Sequence, residues 1–497
     1  MYISSRGNFR PVTASEAIRL GMVPEGGLFV PEKIPVLDPV KIKEMAEQSY
    51  GEVAQTILEL FLDDFSQDEI RDIIKKSYNE TNFDHPDIAP LAKLDNETYI
   101  LELWHGPTAA FKDMALQIMP RLLTKSVEKT GSQDEVIIPV ATSGDTGKAA
   151  LEGFKNVPGV RIIVFYPYGG VSKVQELQMT TAEGNNVAVV SVKGNFDDCQ
   201  TGVKELFADR EFNRLLASKK MVFSSANSIN WGRLLPQIVY YFWGYAQMLK
   251  RGDISFGEKI NVVVPTGNFG NILAGYYAYL MGLPVNKFIC ASNKNKILTD
   301  VINTGVYDRR REFYKTSSPS MDILISSNFE RFLFEISGHN DQKITKWYRE
   351  LSEKGFFQVD EEYRKKWQNI LIGDYTTDEE TLREIKETFT EKGYLLDTHT
   401  GVAVRVYRNY AEKTGDKTKT MIDATANPYK FNKAVLEAIA GTEAVKDKDE
   451  FMILEELNRV TGMPIHRALK DLDKKQVVYH KVIEKDEIRE AVKEILD

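Results

Sequence analysis

Val136-Ile-Ile-Pro-Val-Ala-Thr-Ser-Gly-Asp-Thr-Gly147 is a short apolar run that breaks into a polar, glycine-containing turn, with helical periodicity beyond it. A run of that length, rich in β-branched residues and without polar alternation, reads as a strand covered on both faces. The pattern repeats outward. Arg161-Ile-Ile-Val-Phe-Tyr166 leads to a helix that Ser172 can cap, and Asn186-Val-Ala-Val-Val-Ser-Val192 to one running through Phe207. Asn261-Val-Val-Val264 leads to a turn and a helix from about Asn271, with Lys287-Phe-Ile-Cys-Ala291 after it. Thr420-Met-Ile-Asp-Ala-Thr425 is a late strand closed by Asn427-Pro428. Strand, turn, helix, strand predicts an α/β fold of mostly parallel sheets covered by helices. Such sheets bind ligands at the carboxyl ends of their strands, so the turns are where chemistry is sought.

The flanks read differently. Thr13 to Gly21 is a capped helix, and residues 38 to 79 are amphipathic with an interruption near Ser49-Tyr-Gly51, so the first 95 residues form a helical N-terminal domain. Residues 96–125 with 245–445 then make a large lobe and 126–244 a smaller one. From about Asp322 to Glu391 the pattern is helical and charged, anchored by Trp347, Phe356-Phe357 and Trp367. Residues 446–497 are a C-terminal extension in which charge alternates with leucine.

Composition narrows the functional classes. The 497 residues are 42% hydrophobic and 27% charged, which fits a globular chain and excludes a fibrous or disordered one. Lys plus Arg number 64 against 72 Asp plus Glu, a net charge of -8, and no basic run stands out, so nucleic acid is not an expected partner. Two cysteines, Cys199 and Cys290, suit a reducing, cytoplasmic setting. Six histidines form no HExxH or HxH pattern, so no metal site is expected. The longest apolar-aromatic stretch, Ile238 to Leu249, is too short for a membrane span. No protein partner is implied.

Four stretches carry chemistry. Pro265-Thr-Gly-Asn-Phe-Gly-Asn271 follows a strand and opens a helix, where amides and the helix dipole favour an anion. It lacks the lysine of a nucleotide-binding P-loop and is not GxGxxG, so the phosphate of a compact cofactor fits better. Ala141-Thr-Ser-Gly-Asp-Thr-Gly147 has the same logic, except that Asp145 would repel an anion and instead accepts protons or caps the helix. In His105-Gly-Pro-Thr-Ala-Ala-Phe-Lys112-Asp113, apolar neighbours favour a neutral Lys112 amine, the form that attacks an aldehyde. In Asp423-Ala-Thr-Ala-Asn-Pro-Tyr-Lys-Phe431, the Thr425 hydroxyl either meets a ligand nitrogen or bonds backbone. A lysine, a lysine-free phosphate cradle and a second anion turn together point to pyridoxal phosphate.

These stretches resemble the threonine synthase family, pyridoxal-phosphate lyases of the two-lobed fold type II. His105 to Asp113 is similar to the family's HGPTxAFKD motif, Ala141 to Gly147 to SGDTG, and Pro265 to Asn271 to PTGNFGN. Tyr2 to Gly7, Glu25 to Pro31, Asn227 to Arg233, Ser318 to Ile323, Ser327 to Arg331 and Thr425 to Phe431 extend the likeness over nearly the whole chain. Ala426-Asn427 departs from it, the family more often having Ser or His there. The resemblance implies conversion of O-phospho-L-homoserine and water to L-threonine and phosphate. It implies Lys112 as the catalytic Schiff-base lysine, Gly267, Asn268, Phe269 and Asn271 as contacts of the cofactor phosphate, and Thr425 as partner of its pyridine nitrogen. Ser143, Gly144, Asp145 and Thr146 are then candidates for the substrate carboxylate. Asn230 and Arg233 are candidates for its phosphate, with a structural ion pair the other reading of Arg233. The rival is a lyase or dehydratase of the same fold acting on serine, threonine or an activated serine, which needs no second phosphate site. A non-catalytic relative would be expected to lose Lys112.

Overall fold

The apolar runs pair into two separate sheets. In the computed structural model, which describes residues 1–142 and 144–497, the larger sheet has six strands. Their spatial order is Leu371–Tyr375, Val285–Ser292, Ile260–Pro265, Thr420–Ala424, Thr98–Glu102 and Leu91–Lys93, and only the last pair is antiparallel. The second sheet is parallel throughout, in the order Val482–Glu484, Val187–Lys193, Val160–Pro167, Glu135–Ala141, Met221–Phe223. Ile260–Pro265 is buried at all six positions, which is why its sequence shows no polar alternation.

Three passages connect the sheets, the last running from Thr420–Ala424 through the helices Asn432–Ala440 and Glu450–Thr461 to Val482–Glu484. The chain leaves the large sheet after Glu102, runs through the helices Asp113–Leu116 and Met119–Lys129, and enters the second at Glu135. It returns by the helix Trp231–Lys250, in which every residue except Leu249 and Lys250 is buried. That explains the long apolar stretch: the helix is surrounded by protein, and among the described residues no helix is long and apolar enough to cross a membrane. Cys199 and Cys290 are buried free thiols, and burial pushes them up to about 11 and about 12.

The N-terminal segment is helical as expected. Thr13 caps Ala14–Leu20, and Gly21, at φ 76, ends it. The interruption near residue 49 is a cap: Ser49 and Glu52 form a reciprocal box at the start of Tyr50–Phe61. The break expected at residue 95 falls inside the hairpin joining Leu91–Lys93 to Thr98–Glu102. The strand Thr98–Glu102 was not anticipated, nor was Leu371–Tyr375, an edge strand with polar residues in a stretch read as helical. Phe356–Gln358 pairs with Val306–Asp308, while Trp347 and Trp367 are buried as expected. Val482–Glu484 adds an edge strand to the second sheet, and Ile488–Leu496 packs Ile488, Ala491 and Val492 into the apolar cluster around Cys199 and Val203.

The two sheets meet where Asp145–Phe154, of the second, crosses Asp113–Leu116. Gly153 makes this approach close: a Cβ there would overlap the Leu116 carbonyl oxygen. Gly153→Ala should therefore lower stability by about 1–3 kcal/mol through overpacking, read as a lower urea midpoint for the tertiary signal with helix content of the native state unchanged.

Candidate active site

Lys112 stands at the start of the helix Asp113–Leu116, on a loop held by its own sequence. The Asp113 carboxylate accepts from the Thr108 amide (2.8 Å) and hydroxyl (2.7 Å), and a Cβ on Gly106 would run into it. Ala109 is left-handed (φ 60). The Phe111 amide donates to the Thr425 carbonyl (2.8 Å) and the Asn427 amide to the Ala109 carbonyl (3.0 Å). The lysine loop is thus fastened to the end of the strand Thr420–Ala424, bringing Thr425 beside Lys112. Among the described residues the Thr425 hydroxyl has no hydrogen-bond partner.

Asp145, first residue of Asp145–Phe154, faces this loop from the second sheet. Its carboxylate lies 3.7 Å from Lys112 Nζ and 2.8 Å from Lys430 Nζ. Gln175 Nε2 (3.2 Å) and the Ser320 hydroxyl (3.3 Å) also donate to it. Burial opposes its charge, but Lys430 and Lys112 hold it well below the usual carboxylate range. The expected repulsion between Asp145 and an anion is thereby removed, since its charge is spent on cations. Burial pushes the Lys112 amine down to about 8, with Asp145 opposing and Lys430 and Arg233 reinforcing the shift. Lys430 was not singled out from sequence. Its side chain is 0% exposed, and the signal available was its place between Tyr429 and Phe431 after an Asn-Pro turn.

The cradle at 265–271 offers backbone. Phe269 is left-handed (φ 63), and the helix Gly270–Leu280 starts with no side-chain cap, leaving its first amides for a ligand. The Phe269 ring packs between Phe329 and Phe332, and Asn268 is exposed, its carbonyl taken by the Asn328 amide. A Cβ on Gly267 would sit 2.7 Å from the Ser320 carbonyl oxygen. Asn271 is held through its side-chain oxygen by the Tyr240 and Tyr241 hydroxyls, which leaves its buried Nδ2 without a partner. Tyr241 also donates to Asp423 (2.9 Å), whose carboxyl burial pushes up to about 7.

The substrate-side candidates divide. Ser143 lies outside the described residues. The Gly144 amide donates to the Thr142 hydroxyl (3.0 Å), and Thr146 is half-buried in the first helical turn. Asn230 needs correction. Its Nδ2 donates to the Ile18 and Ser225 carbonyls (3.0 and 2.9 Å) and its Oδ1 accepts from the Gly232 amide (2.9 Å), so it caps the long helix and has nothing left for a ligand. Arg331 donates to the Ser228 and Ile229 carbonyls, so this segment is largely structural. Arg233 is different. It is 5% exposed, Nη1 donates to the Ala226 carbonyl (2.7 Å), and Nε has no partner. Among the described residues it has no carboxylate within ion-pair distance, so the ion-pair reading fails. Burial pushes it down to about 10.

Comparison with known proteins gives the family of the chain. Family models described as threonine synthase N terminus, pyridoxal-phosphate dependent enzyme, and threonine synthase C-terminal match residues 1–78, 84–422 and 400–494. A threonine synthase from Schizosaccharomyces pombe is 37% identical over 468 residues, covering 88% of this chain and 89% of that protein. The chain belongs to the threonine synthase family. Within that family, the structure of a pyridoxal-phosphate-bound threonine synthase from Brucella melitensis superposes with a TM-score of 0.88 at 35% identity, covering 99% of this chain and 98% of the other. Threonine synthase-like 1 of Macaca fascicularis is 40% identical over 474 residues, 93% of this chain. The chain spans 62% of the length of that relative. The cofactor of this family of enzymes is pyridoxal phosphate.

Two outcomes test the geometry. Borohydride treatment of cofactor-loaded protein should leave the cofactor's mass on the peptide containing Lys112, and Lys112→Ala should abolish that adduct while the fold persists. Asp423 keeps its proton to about pH 7 when folded but loses it near its ordinary value when unfolded. Its contribution to stability is therefore lost as pH rises through that interval. Asp423→Asn should stabilise by about 1–3 kcal/mol at pH 8 and by much less at pH 4, read from urea midpoints at the two values.

Proposed function

We propose that the protein converts O-phospho-L-homoserine and water to L-threonine and phosphate with pyridoxal phosphate as cofactor. The observation that carries this reading is Arg233, a buried guanidinium with a free Nε and no carboxylate partner among the described residues, whose charge bears on Lys112. A buried cation left uncompensated is costly, and a phosphate dianion on the substrate would satisfy it. A serine or threonine dehydratase has no use for such a group, so the rival reading is not favoured.

The residues present fit the cofactor. Lys112 supplies an amine that is substantially neutral near pH 8, the uncapped helix at Gly270 supplies phosphate donors, and Asn271 Nδ2 is a buried donor awaiting an acceptor. Gly267, Asn268, Phe269 and Asn271 would hold the cofactor phosphate, the first three through backbone, and Lys112 its aldehyde carbon. Thr425 would hold the pyridine nitrogen, and a hydroxyl there leaves that nitrogen largely unprotonated. When bound, pyridoxal phosphate supplies an electron sink for charge developing beside the substrate amine.

The chain's own groups do the rest. Lys112, freed when the substrate amine takes its place, is a neutral base close to the substrate carbons and is suited to moving their protons. Arg233 holds the γ-phosphate and balances its charge as it leaves. The turn opening the helix Asp145–Phe154 holds the carboxylate through the Asp145 and Thr146 amides and the Thr146 hydroxyl, with the Asp145 carboxylate kept neutralised by Lys430 and Lys112. In this reading residues 126–244 form the substrate lobe, and a substrate bridging the lobes favours closure. The same reading sets the enzyme in the cytoplasm, which its two buried free thiols support.

Arg233→Ala should lower kcat/KM for phosphate release from O-phospho-L-homoserine by about 10- to 150-fold, equivalent to about 1.5–3 kcal/mol for a charge-assisted contact, with cofactor absorbance retained. Unchanged kinetics would remove Arg233 from the site. Equal turnover of serine by the unaltered protein would move it to the dehydratases.

A further inference from the structure

We propose that Lys430 is a positioning residue for Lys112: by holding one oxygen of Asp145, it keeps that carboxylate from closing on the Lys112 amine. Lys430 Nζ is 2.8 Å from Asp145 Oδ1 and donates to the Thr108 carbonyl (2.9 Å), on the loop that leads to Lys112. It therefore ties the second-sheet turn to the lysine loop. Lys112 Nζ is left 3.7 Å from Asp145 Oδ2, within ionic range but beyond hydrogen-bond reach. The remaining groups around Asp145 reinforce this: Gln175 donates to the Lys430-bound oxygen and Ser320 to the other.

The arrangement answers a chemical requirement. A buried amine that must attack an aldehyde works as the neutral form, and a bare carboxylate at contact distance would hold it as ammonium. Asp145 cannot be dispensed with either, since Lys112, Lys430 and Arg233 would then be three buried cations facing one another, with only Asp113 nearby and its carboxyl committed to Thr108. His399 also bears on Asp145, but its Nε2 accepts from the Ser320 amide (3.1 Å) and its Nδ1 lies 3.1 Å from Asp397, so it does not compete for the carboxylate. Sharing Asp145 between two lysines keeps the site folded while leaving Lys112 weakly paired. Burial and the Lys430 charge together hold Lys112 near about 8.

This inference rests on Lys112 being the reactive amine, and not on the identity of the substrate. Its test reads that amine directly. The full chain, freed of cofactor with hydroxylamine, is trace-labelled with acetic anhydride across pH, and acetylation of the Lys112 peptide is followed by mass spectrometry. The unaltered protein should show a midpoint near about pH 8. Lys430→Met should move it alkaline by about one unit or more, because Asp145 is then free to pair with Lys112. Lys430→Arg, which keeps the cation, should restore it. Lys430→Gln keeps a donor for Asp145 and the Thr108 carbonyl but no charge; it should move the midpoint the same way and decides the matter if Lys430→Met does not fold. An unmoved or acid-shifted midpoint in either folded variant overturns the proposal. Failure of phosphate release would count against the proposed reaction and leave these midpoints untouched.

Discussion

Three buried cations converge on the seam between the sheets, and one ionised carboxylate stands within ionic reach of two of them. Lys112 and Lys430 share Asp145, while Arg233 has no acid partner among the described residues. Excess positive charge without water is expensive, and a fold retains it only where something negative arrives. Burial and other parts of the site act in the same direction. The amine of Lys112 sheds its proton readily, the helix at Gly270 begins without a cap of its own, and Asn271 leaves a donor idle. These groups suit the seam to anions.

Holding that charge demands rigid surroundings, and the chain supplies them from remote segments. Arg331 spans from the Phe29 carbonyl to the carbonyls of Ser228 and Ile229, and Glu330 takes Ser5 and Arg6. The N-terminal segment is thus bound to the start of the helix that carries Arg233. Tyr240 and Tyr241, two turns further along the same helix, hold Asn271. One helix therefore sets both the lone guanidinium and the wall of the phosphate cradle.

Much of this was legible in the sequence. Strands covered on both faces announce themselves as unbroken apolar runs, and the turns after two of them are the anion turns, whereas the Lys112 loop follows the unsignalled strand Thr98–Glu102 and is marked by its own residues. Short edge strands such as Leu371–Tyr375, half exposed and partly polar, carry no such signal and were read as helix. Asn230 reads from sequence as a ligand contact because a cap and a ligand contact use the same amide, and only the geometry of Ile18, Ser225 and Gly232 tells them apart. Lys430 carries no sequence signal because burial of a lone lysine is decided by tertiary packing, which neighbouring residues do not encode. Many of the stretches that mark the family turn out to serve structure: Tyr2 to Gly7, Glu25 to Pro31 and Ser327 to Arg331 form the belt that steadies the site.

The strand Val482–Glu484 closes one edge of the second sheet, and its neighbour Lys481 bonds Ser191, 290 residues earlier in the chain. During synthesis the strand Val187–Lys193 is therefore finished long before its outer partner exists. Until then it presents a row of unpaired amides and carbonyls beside apolar side chains, a surface on which another unfinished chain could add itself. The same exposure holds for Thr98–Glu102, whose partner Thr420–Ala424 arrives 322 residues later, so the nascent protein carries open strand edges in both sheets until its last quarter is made.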